Sequence, residues 1–213
     1  MEVATQSTYP TSNSDELLAK LRQKFGDRIV AEQSTCDGIP TVWVDRQHLI
    51  TFLRALRDDI QPKFEMLFDI TAIDERLRVH RSDQPPSEFT VVYHLMSFSG
   101  NCDIRIKVPL IDADLNLPSI IGLWPAANWY ERETWDMFGI NFEGHPNLYR
   151  IVLPPTWEGH ALRKEHPARA TEMEPFSLDD EKADVEQEAL LFKPEEWGMK
   201  RKSEDSEFMF LNL

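Results

Sequence analysis

The 213-residue chain carries 23 Lys and Arg against 37 Asp and Glu, a formal net charge of −14, with 41% hydrophobic and 28% charged residues. That is the composition of an ordinary globular protein, long enough to bury a core without disulfide staples. The acidic balance argues against nucleic acid and against an anionic lipid surface, both of which need a Lys/Arg surplus. No apolar run approaches the roughly 18 residues of a membrane span, and the opening MEVATQSTYPTSNSDE lacks the basic and apolar regions of a secretory signal.

Residues 1–13 are polar and read as a loose terminus. Ser14 then reads as an N-cap, Leu17, Leu18, Leu21 and Phe25 share a helical face, and Gly26 stops the helix. Ile29–Ala31 and Thr41–Val44 flank the turn-like Asp37-Gly38 and suggest paired strands. Asp45 is placed to cap a second helix, in which Leu49, Phe52, Leu53 and Leu56 recur at helical spacing. Three more strands are expected at 64–73, 89–98 and 102–108. The second is apolar on both faces. The third alternates, with Ile104, Ile106 and Val108 opposite Asp103, Arg105 and Lys107, and Ser99-Gly100-Asn101 joins the two as a hairpin. Short turns between strands, with helices set apart, indicate an α+β fold: a mixed or antiparallel sheet with flanking helices, over residues 14–125.

Residues 126–170 differ in character. In the helical stretch AANWYERETWDMF, Trp129, Tyr130, Trp135 and Phe138 alternate with Glu131, Arg132, Glu133 and Asp136, so more than one helix face is expected to be covered. Surface pairing of Arg132 with Asp136 at i+4 is the alternative. Residues 139–170 form an extended loop arm interrupted by Gly and Pro, yet Phe142, Leu148, Tyr149, Ile151, Val152, Leu153 and Trp157 are costly to leave in water. The arm is therefore expected to lie against a surface, of its own domain or of a partner. Residues 171–213 hold thirteen acids against five bases, read as an acidic helical tail capped at Ser177 and closing on FMFLNL.

Local chemistry is sparse. Two cysteines, Cys36 and Cys102, cannot ligate a conventional iron–sulfur cluster, and two ordinary buried thiols are the expected reading. A Cys102–His94 pair across the hairpin has no third group to support it. No Gly-rich phosphate loop is present. His145, His160 and His166, with Glu143 or Glu158, could be imagined as metal ligands of a hydrolase. The stronger reading of Phe-Glu-Gly-His at 142–145 and Trp-Glu-Gly-His at 157–160 is a Gly turn locked by a His hydrogen bond to backbone. Glu131 and Glu133, about 200° apart on a helix, engage different neighbours rather than one substrate. Arg132, Arg150, Arg163 and Arg169 are candidates for buried or interfacial bidentate pairs.

The stretch WYERETWDMFGINFEGHPNLYRIVLPPTWEGHALRKEHP, 129–167, resembles the signature region of the C subunit of respiratory NADH:quinone oxidoreductase, complex I. Glu131-Arg132-Glu133, Trp135 to Ile140, Gly144-His145-Pro146, Leu148, Gly159-His160 and Leu162-Arg163-Lys164 carry the resemblance. Ala161 departs from an expected Pro, and Glu165-His166 from a common Asp-Tyr. The tail FKPEEWGMKR followed by acids and FMFLNL resembles the join in bacterial proteins where the C and D subunits are fused.

The resemblance implies a non-catalytic peripheral-arm subunit on the cytoplasmic side of the bacterial inner membrane, with the D subunit and iron–sulfur subunits as partners. It implies no catalytic, cofactor or metal site in this chain, the FMN, iron–sulfur clusters and quinone of the complex lying elsewhere. The equivalent subunit of a related membrane-bound hydrogenase or dehydrogenase is the alternative. The partner interface is expected to involve Trp129, Glu131, Arg132, Glu133, Trp135, Asp136, Phe138, His145, Arg150, Trp157, His160, Arg163 and Lys164.

Overall fold

Three α-helices and seven strands account for the regular structure of residues 11–166, the part of the chain that the computed structural model describes. Helix α1 (Thr11–Phe25) begins three residues ahead of the expected Ser14 cap and ends where Gly26 adopts φ +43°. Leu17, Leu21 and Phe25 turn inward from it. Strands β1 (Ile29–Gln33) and β2 (Thr41–Val44) pair antiparallel, with Ile29 opposite Val44 and Gln33 opposite Thr41. Asp45 accepts a hydrogen bond from the Gln47 amide at 2.8 Å. It caps a short 3-10 turn, Arg46–His48, that leads into α2 (Leu49–Asp58). Leu49, Phe52, Leu53 and Leu56 are fully buried, and Phe52 meets Phe25 with ring centroids 4.4 Å apart.

Strands β3 (Met66–Asp74), β4 (Phe89–Ser97) and β5 (Cys102–Leu110) complete a five-stranded sheet in the order β1-β2-β5-β4-β3. Only β2 and β5 run parallel, a pairing that needs a long crossover; α2 and the β3–β4 pair supply it. The β4–β5 hairpin closes at Ser97 opposite Cys102, with Asn101 at φ +46° in the turn. Ile104, Ile106 and Val108 join Val91, Tyr93 and Leu95 in the core shared with α1 and α2, while Arg105 and Lys107 point to the opposite face. The architecture is thus α+β with a mixed sheet.

A second, two-stranded sheet had no counterpart among the expected elements. Strands β6 (Asn116–Pro118) and β7 (Asn141–Glu143) pair in parallel and are joined through α3 (Ala127–Phe138). Three residues are too few to display a period of two. Leu117 and Phe142 are nevertheless buried in the main core. Helix α3 packs on β3, where the Thr134 hydroxyl donates to the Ile70 carbonyl at 3.1 Å.

The cysteines differ from the expected buried thiols: Cys36 is exposed in the β1–β2 connection and Cys102 is half-buried, both free. Position in a surface turn overrides the residue type's average burial. Burial pushes the Cys102 thiol up from its ordinary range. The register puts Arg105, not Cys102, opposite His94. Among the described residues no helix is long and apolar enough to cross a membrane. The helix expected after Ser177 and the closing FMFLNL lie outside the described residues.

Candidate partner interface

The last turn of a helix leaves four carbonyls without intrahelical partners, and in α3 the loop arm supplies them. The Gly139 amide closes onto the Trp135 carbonyl at 2.7 Å. His160 Nδ1 donates to the Asp136 carbonyl at 2.9 Å, the Leu162 amide to Met137 at 3.0 Å, and Arg163 Nε to Phe138 at 2.6 Å. Because a carbonyl only accepts, the His160 proton is fixed on Nδ1. Two guanidinium groups, Arg150 and Arg163, also stand at the negative end of the helix dipole. Gly139 is required here twice over. Its φ is +77°, and a Cβ would lie 2.6 Å from His160 Nε2 and 2.7 Å from Arg163.

Asp136 organises the arm from the other side. Its Oδ2 accepts the amides of Ile151, Val152 and Leu153 at 3.0, 2.9 and 3.0 Å, and its Oδ1 accepts Arg150 at 2.6 Å. The side chain is fully buried. Burial pushes its pKa up, but these hydrogen bonds outweigh burial and hold the carboxyl below the usual range. Arg150 extends the clamp to the carbonyls of Trp157 and Gly159 at 3.0 and 2.9 Å. At its far end the arm meets β3: the Lys164 amide donates to Asp74 at 2.8 Å, and Arg76 bridges Asp74 and Glu165.

The N-terminal half of α3 behaves differently. Glu131 is fully buried and accepts from the Ser119 hydroxyl and the Ile120 amide, both at 2.7 Å. Burial without a cation pushes its pKa up to about 7. Arg132 is only 5% exposed, yet it lies between two exposed rings, 5.1 Å from the Trp129 centroid and 3.6 Å from that of Tyr149. Trp129 is 65% exposed and Tyr149 49%. The Trp129–Arg132–Tyr149 stack is therefore the large aromatic feature that this part of the molecule turns outward.

Many of the residues expected to face a partner turn inward instead. Glu131, Arg132, Asp136 and Phe138 are buried, and His160, Arg150 and Arg163 are committed to backbone carbonyls of α3 and the arm. Arg132 does not pair with Asp136, which Arg150 engages. His145 acts within its own turn, donating from Nε2 to the Asn128 carbonyl at 3.2 Å and accepting the Asn147 amide at Nδ1, 3.0 Å. His166 stacks on Trp157, with centroids 5.3 Å apart. Trp135 is half-buried between His160 and Arg150. Trp129, Glu133 and Lys164 are the expected residues that are exposed. Tyr149, Val152 and Leu162, exposed at 49%, 57% and 52%, were not among them. Only the run of bulky residues around Arg150 hinted at the first two.

The chain matches the model of the family described as respiratory-chain NADH dehydrogenase, 30 Kd subunit, over residues 42–172. It is similar to the fused C/D subunit of the NADH-quinone oxidoreductase of Methylococcus capsulatus, at 55% identity over 95% of this chain and 35% of that protein. It is also similar to the protein of the same name from Nitrosospira multiformis, at 55% identity over 95% of this chain and 34% of the relative. The chain thus spans about a third of the length of the curated relatives it matches. The fold is also that of a chain in the membrane-bound sulfane sulfur reductase, an archaeal respiratory membrane complex, with a TM-score of 0.57, 20% identity, and coverage of 92% of this chain and 99% of the other. With its family match covering more than half the chain and taking in α3 and the arm, this protein belongs to the family of the 30 kDa subunit of respiratory-chain NADH dehydrogenase.

Proposed function

We propose that this chain is the C portion of a fused C/D polypeptide of a bacterial NADH:quinone oxidoreductase, acting as a non-catalytic brace of the peripheral arm. The observation that carries this reading is the 55% identity, across 95% of the chain, to proteins named as C/D subunits of that enzyme. In such a complex electrons pass from NADH through FMN and iron–sulfur clusters to quinone, with ion pumping, and this chain contributes positioning rather than chemistry. Its partners are the D subunit, continuous with it in one polypeptide, and the cluster-bearing subunits nearby, on the cytoplasmic face of the inner membrane.

The contact surface is α3 and the arm. The clamp at Asp136 and the capped end of α3 supply rigidity, and the Trp129–Arg132–Tyr149 stack with Glu133 supplies the outward face. Trp, Tyr and Arg are the residue types that dominate interface energetics. Rigid anchors lose little freedom on binding, which favours affinity.

Purification of the assembled complex from native membranes, followed by intact-mass measurement, tests this. The expected result is this sequence inside a longer polypeptide that co-purifies with NADH-oxidising, quinone-reducing activity. Recovery as a separate chain ending at Leu213 would reject the fusion, and recovery without respiratory subunits would reject the function. Trp129→Ala with Tyr149→Ala is expected to lower the yield of complex at least tenfold, with the circular dichroism of the chain unchanged.

A further inference from the structure

Between β3 and β4 the chain reads Arg76-Leu77-Arg78-Val79-His80-Arg81, bases and aliphatics in alternation. Leu77 and Val79 are 81% and 93% exposed, the most exposed large hydrophobic residues among those described. The loop that displays them is held at its feet. The Glu75 amide donates to the Glu88 carbonyl at 2.8 Å, and the Arg78 amide to the Glu75 carbonyl at 2.9 Å. Arg76 forks onto Asp74 and reaches Glu165. A turn closes the far side, with the Gln84 amide 3.1 Å from the Arg81 carbonyl. Two aliphatic side chains are thus presented in water on a tied backbone.

Charge gathers at the same place. Burial holds the Lys107 ammonium of β5 below its ordinary range, and Arg105, Arg78 and Arg81 push it the same way, against Glu75. Four cations therefore lie within reach of one another's fields. The acids bonded to them are Glu75, 3.3 Å from Arg78, and Asp37, 2.6 Å from Arg105. On a chain of net charge −14 this is a local positive island.

We propose that the loop Arg76–Arg81, with Arg105 and Lys107 beside it, docks a protein surface that carries carboxylates around an apolar recess. Apolar centre and charged rim is the usual anatomy of a specific interface, and here the rim is basic. An anionic bilayer fits less well. The chain as a whole is repelled by such a surface, and two short aliphatics are a weak membrane anchor. The inference rests on the reading of the chain as one subunit of a larger complex. It assigns a second contact, on the loop between β3 and β4, separate from the α3–arm stack.

A photo-crosslinking phenylalanine analogue at position 77, and separately at 79, in the native complex identifies the occupant. Expected is a cross-linked peptide from another subunit, rich in Asp and Glu. Arg78→Glu with Arg81→Glu is expected to lower recovery of that subunit by about tenfold or more, and reversal of the acids on the cross-linked peptide to Lys is expected to restore it. Cross-links confined to this chain or to lipid, or unchanged recovery in the charge-reversed variant, would overturn the proposal. If the chain co-purifies with respiratory subunits while these variants assemble normally, the docking loop falls and the proposed function stands. If it co-purifies with no respiratory subunit, the proposed function falls, and the acidity of the cross-linked peptide still decides the loop.

Discussion

Removal of the Asp136 carboxylate should detach the arm without unfolding the sheet. Asp136→Ala strands three amides, those of Ile151, Val152 and Leu153, and leaves the Arg150 guanidinium without its carboxylate. Hydrogen bonds to a charged group are worth about 1.5–3 kcal/mol each, and breaking a buried ion pair costs about 3–5 kcal/mol. The two figures overlap in the same bonds and do not add. An overall cost of about 3–5 kcal/mol raises the population of the opened arm by about two to three orders of magnitude. The core built on β4 and β5 contains none of these bonds, so its amides serve as the internal reference. Hydrogen exchange on the full chain is the assay. Protection at 151–153 is expected to collapse while Val91 to Leu95 and Ile104 to Val108 keep theirs. Protection at 151–153 within about threefold of the parent would refute the clamp, since about 0.7 kcal/mol is then all it contributes. Equal loss in β4 and β5 would refute the local character.

The remaining expectations are narrower. Glu131 is an acid with a raised pKa, about 7 in the folded chain, so the fold loses stability as pH rises from the ordinary carboxylate range toward about 7 and holds level above it. Glu131→Gln should flatten that slope, worth roughly 3 kcal/mol, in thermal melts between about pH 4 and pH 8; an unchanged slope would assign the titration elsewhere. Asp74, buried and bonded to Arg76 and the Lys164 amide, has the opposite sign: its pKa lies at about 2, so its contribution is complete above about pH 4 and disappears as pH falls toward 2. Asp74→Asn should remove roughly 2 kcal/mol at neutral pH and little at about pH 2, measured by denaturant titration. Gly139→Ala meets both a positive φ and two side chains within 2.7 Å, and is expected to lower the melting temperature by several degrees; a melt within about one degree of the parent would show that His160 and Arg163 yield freely.

Periodicity made most of the main domain legible. The α2 face, the alternation in β5 and the doubly apolar β4 each announce themselves over about seven residues or more, and each lies where the pattern puts it. Strands β6 and β7 have three residues apiece and exist because α3 carries the chain from one to the other, a tertiary fact with no local signature. The Gly-His turns were legible for a related reason: Gly and His have a local mechanism, and His145 hydrogen-bonds within its own turn as that mechanism requires. The inward role of Asp136 was not legible, because the three amides it binds lie 15 to 17 positions downstream. A motif dense in Trp, Arg and carboxylates looks alike whether it grips a neighbour or its own backbone. Tyr149 was missed because its significance is the ring of Trp129 on the other side of Arg132.

That ambiguity bears on how any assembly defect in this region is read. Substitution of Asp136, Arg150, His160 or Arg163 disturbs the seat of the arm, and with it the placement of every residue the arm presents. Loss of the complex in such a variant follows from loss of preorganisation even if none of the four touches a partner. Trp129 and Tyr149 differ, since each is about half or more exposed and Trp129 projects from a helix whose burial depends on other residues. The two classes separate in a joint measurement. A clamp variant lowers both hydrogen-exchange protection at 151–153 and recovery of the complex, whereas an anchor variant lowers recovery alone. If Trp129→Ala reduced protection at 151–153 as far as Asp136→Ala does, the aromatic stack would belong to the clamp, and the outward face of the molecule would have to be sought in Val152 and Leu162.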